Sequence, residues 1–230
     1  MPWDFLLIFF VLVVVVPWSG WARLQRLLAL PHISGRERTV LYLRSISLQW
    51  IIAALVAWRA FAGGLTPLQL GLKFRPTAEL LLVGILGGGL LGVAHWFNLR
   101  RVARSQSPAT ERIRSLAAKI FPHSNQEALV FCVLSITAGI CEEFMYRGFV
   151  FAALGHISVS AWGIVVLSSV MFGLAHAYQG GSGIVGTLLL GTVFGLVRFL
   201  YSSLVPVVIW HAAVDIVAGF AGKRYLVENK

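Results

Sequence analysis

Charged residues are scarce in this chain. Only 12% of its 230 residues are Asp, Glu, Lys or Arg, whereas a typical soluble domain has about 25%. Hydrophobic residues account for 58% of the sequence, and the mean hydropathy is +0.81. These values exclude an ordinary soluble domain, so the composition predicts an integral membrane protein.

Cysteine is almost absent as well. The two cysteines, Cys132 and Cys141, lie nine positions apart in one apolar run, so on a helix they face different directions and cannot form a disulfide with each other. The chain also lacks a His-Glu-x-x-His sequence, the helical motif that supplies two zinc ligands and a base in many metalloproteases. We therefore expect no metal ion and no other cofactor.

Long polar segments are missing too. A helix needs about 20 apolar residues to cross about 30 Å of hydrocarbon, and about seven such runs follow one another with short connections, which predicts an all-α, polytopic transmembrane helical bundle. We expect a single membrane-embedded domain over residues 1–230, with a first helix that is retained in the mature protein. The runs cover approximately residues 3–16, 40–61, 78–97, 128–154, 159–177, 184–200 and 204–221.

Basic residues cluster after the first and third runs. By the positive-inside rule both clusters are cytoplasmic, which predicts an outside N-terminus and a cytoplasmic C-terminus in the cell (cytoplasmic or inner) membrane. The net charge of +10 then reflects topology and contact with membrane lipids, and we expect no nucleic-acid partner. The residues concerned are Arg23, Arg26, Arg36, Arg38, Arg100, Arg101, Arg104, Arg112, Arg114 and Lys119.

Ionisable residues nevertheless occur inside the later apolar runs. A charge at the centre of a membrane helix costs about 2.5–3.5 kcal/mol on insertion scales, so such residues indicate function. Glu143 and Arg147 are four apart and can pair on one helix face. Glu142 is rotated about 100° from Glu143 and needs a partner from a neighbouring helix. The remaining ionisable candidate residues are His176 on the fifth run, four positions after Phe172, and His211 and Asp215 on the seventh.

Two of these side chains, Glu142 and His176, meet the minimum requirement for hydrolysis of an amide. A water held between Glu142 and His176 has a carboxylate to take its proton and an imidazole to orient it. His211 and Asp215, four apart on one helix face, can line the same cavity and support the oxyanion that forms when the water attacks.

The motifs, in this order, resemble those of the CAAX protease and bacteriocin-processing family, also called the abortive-infection family of intramembrane glutamic endopeptidases. They are Glu-Glu-x-x-x-Arg at 142–147, Phe-x-x-x-His at 172–176 and His-x-x-x-Asp at 211–215. The stretch 191–198 also resembles the family's approach to its last motif. The resemblance is strong over about residues 127–222 and weak before them.

The resemblance implies that Glu142 activates the water, that His176 holds it and that His211 and the residue at 215 stabilise the tetrahedral intermediate. It also implies that Glu143 and Arg147, with Phe172, organise the site. Prenyl-protein members of the family usually have asparagine where this chain has Asp215. An ionised aspartate cannot donate a hydrogen bond, so Asp215 either holds His211 in its donor form or donates while protonated.

Other interpretations remain open from the sequence. A purely structural ion pair between helices also explains Glu143 and Arg147. Glu142, His176, His211 and Asp215 have the atom types of a zinc site, and buried charges also occur in membrane scaffolds and transporters. The substrate of a protease would be a peptide or protein in or near the bilayer. Neither its identity nor the oligomeric state follows from the sequence.

Overall fold

Helices make up all the regular structure of the part of the chain that is described. A computed structural model describes residues 2–73 and 75–228. We number its helices α1 (Trp3–Ala29), α2 (Gly35–Ala62), α3 (Ala78–Ala103), α4 (Pro108–Ile120), α5 (Asn125–His156), α6 (Ala161–Ala175), α7 (Gly181–Tyr201) and α8 (Val205–Glu228).

The prediction of a polytopic helical bundle is confirmed. Within the described residues, six helices are long and apolar enough to cross a membrane, so this is a multi-pass membrane protein. The fifth predicted run differs: α6 has only 15 residues and ends at Ala175. The first predicted run also differs, since α1 continues to Ala29 and carries Arg23 and Arg26 on the helix instead of in a loop.

Short polar residues fix where the helices begin. Five helices follow a serine or threonine whose side-chain oxygen accepts the backbone N–H of the third helical residue, which satisfies one of the free N–H groups of the first turn. At Ser34 the cap is a complete capping box, because Glu37 also accepts the Ser34 N–H at 2.7 Å. The capping residues are Ser34, Thr77, Ser107, Ser124 and Ser160.

The arginine-rich segments meet at one end of the bundle, which we call the basic end. There α1, α3 and α8 end and α2 and α5 begin. The Arg38 guanidinium and the Glu127 carboxylate form a buried ion pair of 2.7 Å between α2 and α5. The Lys119 ammonium of α4 donates to the Leu27 carbonyl of α1 at 2.9 Å. At the opposite end, Leu204 N–H donates to the Gly71 carbonyl at 3.0 Å.

Helix α5 lies at the centre of the fold. It packs against α2 on one side and α8 on the other, and residues 143–154 are all buried. Its close approach to α8 depends on Gly139, because a Cβ added there would lie 2.9 Å from the Val208 carbonyl oxygen. Small residues permit this kind of contact between membrane helices. The crossing brings the acidic part of α5 directly against the middle of α8.

Candidate active site

A π-helical turn on α5 follows immediately after the two glutamates. Glu142 and Glu143 end the α-helical part, and Phe144–Phe149 form the π turn. Such single π turns inside α-helices occur often at functional sites. Glu142 lies about 26 Å from the basic-end start of α5, at 1.5 Å per residue. The glutamates therefore lie near the middle of α5.

Glu143, Arg147 and His211 form one buried cluster. The Arg147 guanidinium donates to Glu143 Oε1 at 3.1 Å, and both side chains are completely buried. His211 Nδ1 lies 2.8 Å from the same oxygen. Since an ionised carboxylate only accepts hydrogen bonds, this ring nitrogen carries the proton and donates. Glu143 therefore sets the orientation of the His211 ring, and its Nε2 faces away from Glu143.

The Phe172 ring lies beside Arg147 and both imidazoles. The Arg147 guanidinium carbon lies 4.2 Å from the centre of this ring, a distance at which the ring face attracts the cation. The same ring lies 4.6 Å from the His176 ring and 5.9 Å from the His211 ring, measured between centres. Arg147 also donates to the Gly191 carbonyl of α7 at 3.1 Å.

His176 follows directly after the last residue of α6. Its Nδ1 lies 2.9 Å from the Phe172 carbonyl oxygen. A carbonyl oxygen accepts and never donates, so Nδ1 carries the proton here as well. The free Nε2 of the neutral ring is then a hydrogen-bond acceptor. The last turn of α6 thus fixes this tautomer, because Phe172 and His176 are four residues apart.

The carboxylate of Glu142 faces both imidazoles. Its Oε2 lies 3.9 Å from His176 Nε2 and 4.0 Å from His211 Nε2. These separations are too long for direct hydrogen bonds and short enough for one water molecule to bridge. Residues from α5, α6 and α8 thus converge on one small volume inside the bundle.

Asp215 has the most exposed of the four side chains around this volume. Its Oδ2 is 3.7 Å from His211 Nε2, beyond hydrogen-bond distance. Its side chain is 39% exposed, compared with 20% for Glu142 and 8% for His211. The hydrogen-bonded carboxylate partner of His211 is therefore Glu143, one helix away, and Asp215 is the more solvent-accessible second neighbour.

A family comparison covers this part of the chain. Residues 124–217 match the family model described as type II CAAX prenyl endopeptidase Rce1-like. This segment of the chain is therefore similar to that family. The match contains all seven residues that the sequence analysis placed in the site, and it supports an intramembrane endopeptidase. Comparisons with curated proteins and with solved structures gave no match.

Gln49 of α2 lies outside the segment that matches the Rce1-like family, and the sequence analysis missed it. Its side-chain N–H donates to Glu142 Oε1 at 3.1 Å. Glu142 was expected to need a partner from a neighbouring helix, and Gln49 occupies that place. The sequence did contain one indication of a functional role, because Gln49 is the one polar residue in the apolar stretch 48–58.

Tyr178 was missed as well. It belongs to the short 3₁₀ turn Ala177–Gln179 that follows His176, and the two rings lie 5.8 Å apart between centres. Burial raises the pKa of Tyr178 to about 12, so its hydroxyl is neutral at physiological pH. Tyr178 lies two residues after His176 and belongs to no periodic pattern, so the sequence did not indicate a role for it.

The described residues contain no group of three or more His, Cys, Asp or Glu side chains arranged to hold a metal ion. The four residues with zinc-ligand atom types lie around the same volume, and their facing atoms are 3.7–4.0 Å apart.

Proposed function

We propose that the protein is a glutamic intramembrane endopeptidase that hydrolyses a peptide bond with a water activated by Glu142. The observation that carries this proposal is the position of Glu142 Oε2, which faces the Nε2 atoms of His176 and His211 at 3.9 Å and 4.0 Å. One water at this place contacts a base and an orienting group together, as general-base hydrolysis requires.

The proton moves through defined atoms in this mechanism. Glu142 Oε2 takes one proton of the water, and His176 Nε2 accepts a hydrogen bond from the other. The water oxygen then forms a bond to the carbonyl carbon of the substrate. The protonated Glu142 passes its proton to the amide nitrogen as the C–N bond breaks, which releases an amine and a carboxylic acid.

His211 supports the negative charge that develops on the substrate oxygen. In its cationic form both ring nitrogens carry a proton. Nδ1–H donates to Glu143 at 2.8 Å, and Nε2–H is directed toward the volume shared with Glu142. Asp215, 3.7 Å from Nε2, adds a second carboxylate beside the ring. A donor held ready for a developing oxyanion lowers the barrier because it needs no reorganisation during the reaction.

Glu143 and Arg147 position the reacting groups in this proposal, together with Phe172. Arg147 compensates the buried charge of Glu143, Glu143 holds His211, and the Phe172 carbonyl holds His176. Their role is therefore to position the imidazoles, because the same ion pair that neutralises the core also fixes His211.

We further propose that the basic end faces the cytoplasm, by the positive-inside rule. The N-terminus then lies outside, and the C-terminal residues of α8 lie inside. Exposure of the site increases toward Asp215, which is one turn nearer the basic end than His211. A peptide or protein substrate in or near the bilayer would therefore approach from the cytoplasmic half of the membrane.

A comparison of membrane proteomes tests this proposal. Membranes from cells that produce the wild-type protein or Glu142→Gln are analysed by mass spectrometry after chemical labelling of free N-termini. We expect at least one new N-terminus, within or beside a transmembrane segment, that occurs with the wild-type protein and not with the variant. Equal sets of N-termini at matched protein levels would contradict an endopeptidase.

A further inference from the structure

Gln49 is a polar side chain that α2 places beside the candidate water site. It lies among apolar residues from Leu48 to Trp58, where a polar group without a partner is costly. Its Nε2 donates to Glu142 Oε1 at 3.1 Å. Its Oε1 is buried and has no hydrogen-bond partner among the described residues. Within the described structure, the side chain of Gln49 thus bonds to Glu142 alone.

Because of this contact, the two oxygens of the Glu142 carboxylate have different neighbours. Oε1 is tied to α2, whereas Oε2 faces His176 and His211. A carboxylate rotates about its last side-chain torsion through a broad, roughly two-fold range. A hydrogen bond to one oxygen restricts that rotation and keeps the other oxygen directed at the imidazoles. The amide can serve in one orientation only, since its carbonyl oxygen would face another acceptor if it were flipped.

We propose that Gln49 is a positioning residue for the hydrolysis, which aligns the general base Glu142 with the water. The inference rests on the proposed function and adds a residue that lies outside the family-matched segment. Gln49 does not contact the reacting atoms; it acts through the carboxylate. Misplacement of a reacting group by about 1 Å can lower a rate about 10²-fold, so loss of this hydrogen bond affects the chemical step.

A purely structural role for Gln49 is less consistent with the packing. Helices α2 and α5 are already joined nearer the basic end by the buried ion pair of Arg38 and Glu127 at 2.7 Å. The rings of Tyr42 and Phe131 add an edge-to-face contact with centres 5.4 Å apart. Side-chain hydrogen bonds between membrane helices contribute on average only about 0.6 kcal/mol. The assembly of α2 on α5 therefore does not depend on Gln49.

The test uses Gln49→Met in the full-length protein in nanodiscs. The probe is an internally quenched peptide that spans the cleavage site found in the proteome comparison. We expect kcat to fall about 10- to 100-fold, with KM within about threefold of wild type and an unchanged melting temperature. Gln126→Met is the matched control, because Gln126 is exposed at the start of α5, and it should keep wild-type kinetics.

Each outcome bears on one of the two proposals. If Gln49→Met keeps wild-type kcat while Glu142→Gln is inactive, the role of Gln49 is refuted and the proposed function stands. If Glu142→Gln remains active, the proposed function itself fails. Should Gln49→Met melt early, Gln49→Asn replaces it, since its amide is one methylene too short to reach Glu142. The same fall in kcat is expected for Gln49→Asn, and a wild-type kcat would overturn the proposal.

Discussion

Replacement of Glu142 by glutamine should remove nearly all peptide hydrolysis and leave the fold intact. The amide has the shape of the carboxylate and still accepts the hydrogen bond from Gln49, but it cannot take a proton from water. General-base catalysis contributes about 10²–10⁴-fold to rates, and kcat should fall by at least that range. The measurement is the rate of peptide cleavage by purified protein in nanodiscs, together with its thermal unfolding curve.

Glu111→Gln is the matched control for this substitution. Glu111 lies on the surface of α4, where its side chain is 66% exposed and pairs with Arg114. The change removes one carboxylate from the protein without touching the site, so its kcat should equal that of wild type. A Glu142→Gln protein as active as this control would show that Glu142 is not the base.

Replacement of Arg147 by methionine should produce the largest loss of stability. Its guanidinium is completely buried, pairs with Glu143 at 3.1 Å and stacks on Phe172 at 4.2 Å. Removing one partner of a buried ion pair costs about 3–5 kcal/mol because the remaining charge is left without compensation. The free energy of unfolding in mixed micelles should fall by about that amount, and activity should be lost because Glu143 no longer holds His211 in place.

A second substitution identifies the cause of this loss. Arg147→Met combined with Glu143→Gln leaves no uncompensated carboxylate, so part of the lost stability should return while activity stays low. Arg101→Met, at an exposed position of α3, should unfold like wild type. If Arg147→Met is as stable as Arg101→Met, the buried ion pair does not contribute as described.

Much of the fold could be predicted because hydrophobic length is a direct physical requirement of the bilayer. The runs that became α2, α3, α5, α7 and α8 were visible from composition alone. The shortness of α6 could not be predicted in the same way. Its apolar pattern continues to Ala177 in the sequence, whereas the helix ends at Ala175 and the chain turns at His176. That turn places Nδ1 of His176 on the Phe172 carbonyl.

The contacts within the site could be predicted only in part from the sequence. The spacing of Glu143 and Arg147 predicted an ion pair, since both belong to one helix. The bond from His211 to Glu143 joins two helices whose relative position depends on Gly139 and on the π turn Phe144–Phe149. Periodicity describes one helix at a time, so it assigned Asp215 to His211 by their shared face. The contact of Gln49 with Glu142 escaped detection for the same reason.

The most direct test follows the oxygen atom in a single turnover. Enzyme in excess over the peptide substrate is allowed to react once in H₂¹⁸O, and both the product and the enzyme fragment that contains Glu142 are analysed by mass spectrometry. Attack by a water activated by Glu142 predicts one ¹⁸O in the new carboxyl group of the product and none in Glu142. An ¹⁸O atom in Glu142, with a first product that lacks it, would show that the glutamate attacks the substrate itself and would contradict the mechanism.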